Sequence, residues 1–114
     1  MQYLLLIYDN EQRWSNRGTL SQTYDLEEWG AFGKEFAGSI VGGHALQPTP
    51  SAKTVRVRAG NLLVTDGPFA ETKEQLAGYY LVEAGSIDEA VAVAAKMPWA
   101  RYGSIEARPI QKFS

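Results

Sequence analysis

Two helical patterns, each lying between β-favouring runs, most constrain what this chain can fold into. Residues 23–37 repeat apolar side chains at three- and four-residue spacing, and the capping box SIDE begins a second amphipathic helix at Ile87. Strands are predicted around these helices at residues 3–8, 39–46, 77–84 and 104–110. An order of β-α-β followed by β-α-β is that of a ferredoxin-like α+β fold, with both helices on one face of an antiparallel sheet.

A hairpin is predicted between the two halves of this pattern. Residues 54–58 alternate valine with polar side chains, Ala59-Gly60-Asn61 supplies a tight turn, and residues 62–65 return. The fold class is therefore α+β, ferredoxin-like βαββαβ with an inserted hairpin. The sheet face without helices would be partly apolar, and pairing of two copies into a dimeric α/β barrel would bury it. We therefore expect a homodimer.

Both apolar helix stripes are predicted to be core rather than cofactor-binding surfaces. Ser21 or Thr23 can cap the first helix, and its stripe consists of Leu26, Trp29, Phe32, Phe36 and Ile40. Pro98 ends the second helix, and its predicted buried stripe consists of Ile87, Ala90, Val91, Ala94 and Met97.

Length and composition narrow the classes of protein. At 114 residues the chain is expected to be a single domain, 1–114, with one core. It has no cysteine, which excludes disulfides and thiol chemistry and is typical of a cytoplasmic protein. No apolar run approaches the roughly 18 residues of a membrane span, and no signal peptide is predicted. Its 11 basic and 13 acidic residues are well mixed, so neither nucleic acid nor a membrane is an expected partner.

The stretch TDGPFAETKE, residues 65–74, holds the densest set of chemical groups. Its Asp-Gly pair is a turn dipeptide, and the following proline stiffens the turn so that Phe69 is presented in one arrangement. Glu71, Lys73 and Glu74 then alternate acid, base and acid, an arrangement that could hold a polar ligand or move a proton. A plain strand-ending turn with solvated charges is the alternative interpretation.

This stretch, with Gly78-Tyr79-Tyr80, resembles the signature of the YCII-related superfamily in its DGPF-domain branch. The first strand, the segment from Gly42-Gly43 to Leu46-Gln47-Pro48, and the ending EARPI match as well, so the resemblance covers nearly the whole chain. It implies a ferredoxin-like protomer that pairs into a dimeric α/β barrel. For function it implies small lyases or dehydrochlorinases with a His–Asp pair, and proteins often encoded beside alternative sigma factors.

His44 and Asp66 are the candidate catalytic residues. His44 is the only histidine, the residue type best suited to proton transfer near neutral pH. If Asp66 lies across the sheet from it, the carboxylate would orient the imidazole and leave the other nitrogen as a base. A strand histidine that is exposed or singly hydrogen-bonded is the alternative. The enzymes implied by the resemblance carry their histidine nearer the first helix, so the resemblance does not assign His44.

Seven further polar or aromatic residues are candidates for ligand binding. They are Tyr8, Asp9, Phe69, Glu71, Lys73, Tyr79 and Arg108. Because the first and last strands of a ferredoxin-like sheet are neighbours, part of this set could line a polar cavity for a small anionic or phenolic compound. That part comprises Tyr8, Asp66, Lys73, Tyr79 and Arg108. An ordinary ion pair of Arg108 with Glu106, or a dimer contact, is the alternative.

Residues 9–20 are predicted to form a polar, irregular loop that could act as a lid. Within it, Trp14 could close over a ligand or pin the loop to the core. These two roles are not separated by the sequence.

Neither a metal site nor a cofactor is predicted, because the usual ligand spacings and glycine motifs are missing from the sequence. Three functions remain. The first is a cofactor-free lyase or isomerase acting on a small ring compound. The second is a non-catalytic ligand-binding or regulatory dimer, which the resemblance associates with a sigma factor, and the third is a purely structural dimer module. The sequence favours a dimeric barrel with a small-molecule pocket.

Overall fold

The computed structural model describes residues 1–15 and 26–113. In chain order its elements are β1 (Gln2–Asp9), α1 (Glu11–Ser15), α2 (Leu26–Glu35), β2 (Ile40–Ala45), β3 (Lys53–Arg58), β4 (Asn61–Asp66), β5 (Gln75–Glu83), α3 (Ile87–Ala95) and β6 (Ser104–Pro109), with 3-10 turns at Thr49–Ser51 and Pro98–Arg101. The predicted helix start at residue 23, with its caps Ser21 and Thr23, lies outside the described residues. Within the described ranges, no helix is both long and apolar enough to cross a membrane.

Four strands form one antiparallel sheet in the order β2-β5-β1-β6. Strand β1 pairs on one side with β5, where Leu5 faces Tyr80, and on the other with β6, where Leu5 faces Ala107. With the hairpin set aside, this is the strand order of a ferredoxin-like βαββαβ fold. The predicted fold class is therefore confirmed for the protomer.

Strands β3 and β4 form a separate two-stranded sheet, the ribbon (residues 53–66). Ala59 at φ 51° and Gly60 at φ 78° make its two-residue turn, which has the positive φ angles of the turns that match strand twist. The inserted hairpin predicted from the valine alternation is thus present.

The two faces of the four-stranded sheet differ in burial. On β1, the side chains of Tyr3, Leu5 and Ile7 are buried, whereas Leu4 and Leu6, which alternate with them, are half-buried. The buried set packs in one core cluster with side chains of α2 and α3, such as Phe32 and Val93, and defines the helix-side face. Leu4 and Leu6 define the open face. The described part of the chain therefore covers β1 fully on one side and only partly on the other.

The buried stripe of α3 is rotated from the prediction. Ile87 and Val91 are 41% and 52% exposed, whereas Val93 is buried beside Ala94. Both stripes follow a 3.6-residue repeat, and the narrow arc of Ala90, Val93, Ala94 and Met97 is the one that packs in the core, so tertiary packing rather than periodicity selects it. The prediction that Ser86 caps this helix is confirmed, because its hydroxyl accepts from the amide of Glu89 at 3.2 Å.

Trp14 is an anchor of the core. The loop predicted at residues 9–20 is helical from Glu11 to Ser15, and Trp14 is fully buried with its ring 5.8 Å from that of Trp99. The alternative that Trp14 pins this segment is confirmed, and a lid formed by Trp14 is wrong. Residues 16–20 of the predicted lid lie outside the described residues.

Candidate functional site

A pocket of about 240 Å³ lies on the helix-side face at the end of β2 and β5. Register explains its floor: Ile7, Gly78 and Ala45 form one cross-strand row, and Leu5, Tyr80 and Gly43 form the next. Two glycines and an alanine leave the floor without bulk, so space remains beneath the helices. The pocket is lined by Ile7, Leu26, Trp29, Gly43, His44, Ala45, Ala77, Gly78, Tyr79, Tyr80 and Trp99.

Gly43 is required for the close approach of β2 to β5. A Cβ atom at this position would lie 2.6 Å from the carbonyl oxygen of Tyr79 and 2.8 Å from Cδ1 of Tyr80. Gly78 is equally restricted, since its Cβ would lie 2.7 Å from the carbonyl oxygen of His44. The two glycines therefore set both the strand pairing and the shape of the pocket floor.

Aromatic rings form the walls. Trp29 stacks on Tyr80 with ring centroids 5.9 Å apart, and meets Trp99 edge-on at 5.9 Å. Burial raises the pKa of the Tyr80 hydroxyl, because the surrounding apolar groups disfavour its charged form. Such walls suit a flat, apolar ring, with the phenol of Tyr80 as a neutral hydrogen-bonding group.

His44 and Tyr79 form a pair at the edge of the sheet. They face each other across β2 and β5, and His44 Nδ1 lies 2.8 Å from the hydroxyl of Tyr79. Because side chains alternate along a strand, this contact lies on the open face, on the side opposite to Tyr80. Both residues are part of the pocket lining at the edge strand, and the Tyr79 hydroxyl engages Nδ1 of His44 rather than Nε2.

The open face brings together three of the predicted ligand-binding residues. The cross-strand row of His44 and Tyr79 continues through Leu6 to Glu106, and Tyr8 and Arg108 lie on the same face. Arg108 donates two hydrogen bonds to Glu106, and these raise the pKa of its guanidinium group. Arg108 thus makes the ion pair that was the alternative to a ligand contact.

Asp66 lies away from His44 in the strand pairing. It belongs to the ribbon, where its cross-strand partner is Lys53, and the two side chains form an ion pair at 2.5 Å with Asp66 84% exposed. Asp66 therefore does not lie across the sheet from His44 within one chain, so the predicted His–Asp dyad is not formed there. The physical reason is that, within the described part of the chain, β4 pairs only with β3, so the ribbon is separate from the sheet that holds His44.

The loop after Asp66 divides into an exposed half and an anchored half. Phe69 is 78% exposed, and Glu71 and Lys73 are exposed as well. In the second half, Glu74 accepts from the Ser104 hydroxyl at 2.8 Å, and Gln75 accepts from the amide of Glu11 at 2.9 Å. The turn itself behaves as predicted, with Gly67 at φ 89°.

Asp9 is the one buried charged residue among the described residues. It receives a hydrogen bond from Arg13 Nε at 2.8 Å, and the Arg13 guanidinium lies 4.8 Å from the Trp99 ring and 4.1 Å from the Tyr102 ring. Asp9 also accepts from the amide of Asn10 at 2.7 Å. These contacts place the carboxylate in a structural ion pair that holds α1 against the core.

Of the residues that line the pocket, the sequence predicts only His44 and Tyr79 as site residues. Trp29 was interpreted as core, and Tyr80, Trp99 and Ala45 were not proposed as site residues. The available signal was the Gly-Tyr-Tyr run of β5 opposite the Gly-Gly pair of β2. Among the described residues, no group of three or more His, Asp or Glu side chains could hold a metal ion.

The YCII-related domain family matches this chain over residues 1–114. The chain belongs to the YCII-related family. The family predicted from the TDGPFAETKE stretch is thus confirmed, and the DGPF branch stays a prediction. An uncharacterised protein of Rhizobium meliloti (strain 1021) is 38% identical over 114 residues, covering 96% of this chain and 92% of that protein.

A solved structure shares the fold of this YCII-related protein. It is 5-chloro-2-hydroxyhydroquinone dehydrochlorinase from Burkholderia phenoliruptrix AC1100, in complex with 2,5-dihydroxybenzoquinone. The match has a TM-score of 0.54 at 14% sequence identity and covers 97% of this chain and 94% of the other. At this identity the likeness concerns the fold alone.

Proposed function

We propose that this protein binds a small, flat ring compound in the pocket on the helix-side face. The observation that carries the proposal is a cavity of about 240 Å³ whose walls are Trp29, Tyr80 and Trp99. This volume is slightly below the roughly 300 Å³ at which pockets for drug-sized ligands begin, so it suits a single ring. The benzoquinone bound by the dehydrochlorinase of the same fold is a compound of this class.

The proposed activity is that of a cofactor-free lyase or isomerase acting on this compound in the cytoplasm. His44 is the residue proposed to move the proton: its Nδ1 is engaged by Tyr79 on the open face, and the ligand would reach it around the edge strand β2, where His44 is part of the pocket lining. Asp66 is the second candidate, and it would need to reach the ligand from outside the protomer's own sheet. Replacement His44→Gln is expected to abolish turnover while ring binding persists.

A homodimer formed through the open face is part of the same proposal. Leu4 and Leu6 on β1 and Leu81 on β5 give this face an apolar centre that is only half-buried. Burial of such a surface against a second copy is the usual way to remove it from water.

Tryptophan fluorescence tests the pocket directly, since two of its walls are tryptophans. Quenching would be titrated with 2,5-dihydroxybenzoquinone and a phenol, with succinate as the acyclic control. Ala45→Phe fills the floor and is expected to weaken ring binding about tenfold or more, a loss of roughly 1.4 kcal/mol. Val41→Phe, an exposed position on the same strand outside the pocket, is the matched control. Equal affinity of Ala45→Phe and wild type, or equal binding of succinate, would overturn the proposal.

A non-catalytic regulatory dimer that works with an alternative sigma factor is the second candidate. It is favoured by one observation: Asp66 pairs with Lys53 and His44 with Tyr79, so the two candidate catalytic side chains have other partners. Ring binding without turnover, together with capture of the sigma factor, would support this candidate. Turnover that His44→Gln abolishes would exclude it.

A further inference from the structure

The ribbon has an aliphatic face that the described part of its own chain leaves exposed. Two cross-strand pairs, Val55 with Val64 and Val57 with Leu62, place four apolar side chains side by side. They are 60%, 51%, 60% and 67% exposed, in that order. Four adjacent, mostly exposed aliphatic side chains are unusual for the surface of a monomer.

Among the described residues, β3 and β4 pair only with each other, so the ribbon joins the rest of the protomer through the chain at its root. The hydrogen bonds at its root join its two ends to each other: the amide of Gly67 donates to the carbonyl of Ala52 at 2.7 Å, and the Thr54 hydroxyl donates to the carbonyl of Gly67 at 2.8 Å. Just before the root, Thr49 is held by Glu11, whose carboxylate accepts from its hydroxyl at 2.9 Å. An isolated two-stranded hairpin is marginally stable in water, so an arm fixed only at its root needs a surface to pack on.

We infer that the ribbon is an arm that packs its aliphatic face on the open face of a second copy of the chain. This inference rests on the proposed homodimer and goes beyond it, because it names the element that crosses between protomers. The receiving surface is the centre of the open face, Leu4, Leu6 and Leu81. It is flat, apolar and half-buried, as the arm's surface is flat and apolar, and sheets pack face to face at about 10 Å.

Interface size supports a second copy as the occupant. A stable interface takes roughly 20–30 residues from each partner, and four aliphatic side chains fall far short of that number. In a closed two-fold dimer each arm covers the partner's open face, so both apolar surfaces of both chains are buried. A single protomer presents both halves of this contact, and its ribbon forms a sheet separate from its own open face.

The other face of the ribbon fits the same arrangement. Thr54, Arg56 and Arg58 alternate with the valines on the polar face, where Thr54 and Arg56 are half-buried and Arg58 is exposed, so the aliphatic face is the more exposed of the two. Leu63 is the one aliphatic residue on this polar face, and it is 47% exposed. Leu62 and Leu63 therefore form a matched pair: same residue type, adjacent positions, opposite faces.

Sedimentation equilibrium of the full chain tests the arm. Leu62→Lys places a charge within the proposed contact and is expected to raise the dimer dissociation constant by roughly tenfold or more, whereas Leu63→Lys should change it less than about threefold. If the wild type is a dimer and both variants have the same dimer dissociation constant, the arm contact is overturned and the homodimer is not. A monomeric wild type would overturn both.

Cross-linking provides a measurement that does not depend on a charged variant folding. The chain has no cysteine, so two introduced thiols react only with each other. The double variant Leu62→Cys, Leu81→Cys is expected to form a covalent dimer on mild oxidation, and the double variant Leu63→Cys, Leu81→Cys is not. A covalent dimer from both variants, or from the second alone, would overturn the assignment of the contacting face.

Discussion

At the scale of single residues, burial separates acidic groups that look alike in sequence. Asp9 and Asp66 each follow the apolar part of a strand, and each was a candidate for ligand chemistry. Asp9 is 1% exposed and is held by Arg13, whereas the Asp66 side chain is 84% exposed beside Lys53. Sequence spacing could not separate them, because burial depends on the elements that pack around each strand end.

Replacement Asp9→Asn is expected to destabilise the fold by about 3 kcal/mol, because removal of one partner leaves the other charge of a buried pair uncompensated. Asp66→Asn should cost no more than about 0.5 kcal/mol, since an exposed ion pair contributes little. Urea unfolding of both variants measures the difference. Equal losses would show that Asp9 and Arg13 are not a structural pair.

Tyr80 is predicted to make the folded protein less stable at alkaline pH. Burial raises its pKa above the ordinary value of 10.0, so the unfolded chain releases the hydroxyl proton at a lower pH than the folded protein does. The stabilisation from the neutral phenol is complete below about pH 10 and is lost as the pH rises through the folded-state pKa.

Tyr80→Phe is therefore expected to flatten the fall of unfolding free energy between about pH 9 and pH 11. Urea denaturation across this range measures it, with Tyr102→Phe, an exposed tyrosine, as the control. If the unfolding free energy of Tyr80→Phe falls with pH as steeply as that of wild type, the loss of stability at alkaline pH comes from other groups.

At the scale of elements, glycines on one edge strand determine how the sheet pairs. Strand β2 carries Gly42 and Gly43 side by side. A Cβ on Gly43 would meet Tyr79 and Tyr80 within 3 Å, whereas a Cβ on Gly42 would meet nothing within 4 Å. The sequence shows two adjacent glycines, and only the register shows which of them is needed.

Gly43→Ala is expected to lower stability by about 1–3 kcal/mol, the usual cost of forcing atoms into a closely packed site. Gly42→Ala is the matched control and should be neutral or slightly stabilising, because it reduces the entropy of the unfolded chain. Thermal unfolding of the two variants checks this. A Gly42→Ala loss as large as that of Gly43→Ala would contradict the close approach of β2 to β5.

At the scale of the whole molecule, the protomer is flat, with principal extents of 46 × 46 × 19 Å. Helices cover one face of a single sheet, and the ribbon stands apart, so apolar side chains remain on the open face and on the arm. The pocket and the polar row of His44, Tyr79 and Glu106 lie on opposite faces of the same sheet. In the proposed arrangement, the ligand would bind on one face of this flat protomer and the second protomer on the other.

The sequence by itself determined the family, the βαββαβ order, the hairpin and the cap at Ser86, because turn chemistry and apolar periodicity act over a few neighbouring residues. The tertiary structure decided the rest. It separated Asp66 from His44, brought His44 to Tyr79, buried Asp9 and made a pocket from residues that periodicity assigned to the core. These outcomes depend on strand register and on which face each element presents. Register is set by contacts between residues far apart in the chain, such as Gly43 and Tyr80, and local sequence patterns do not record it.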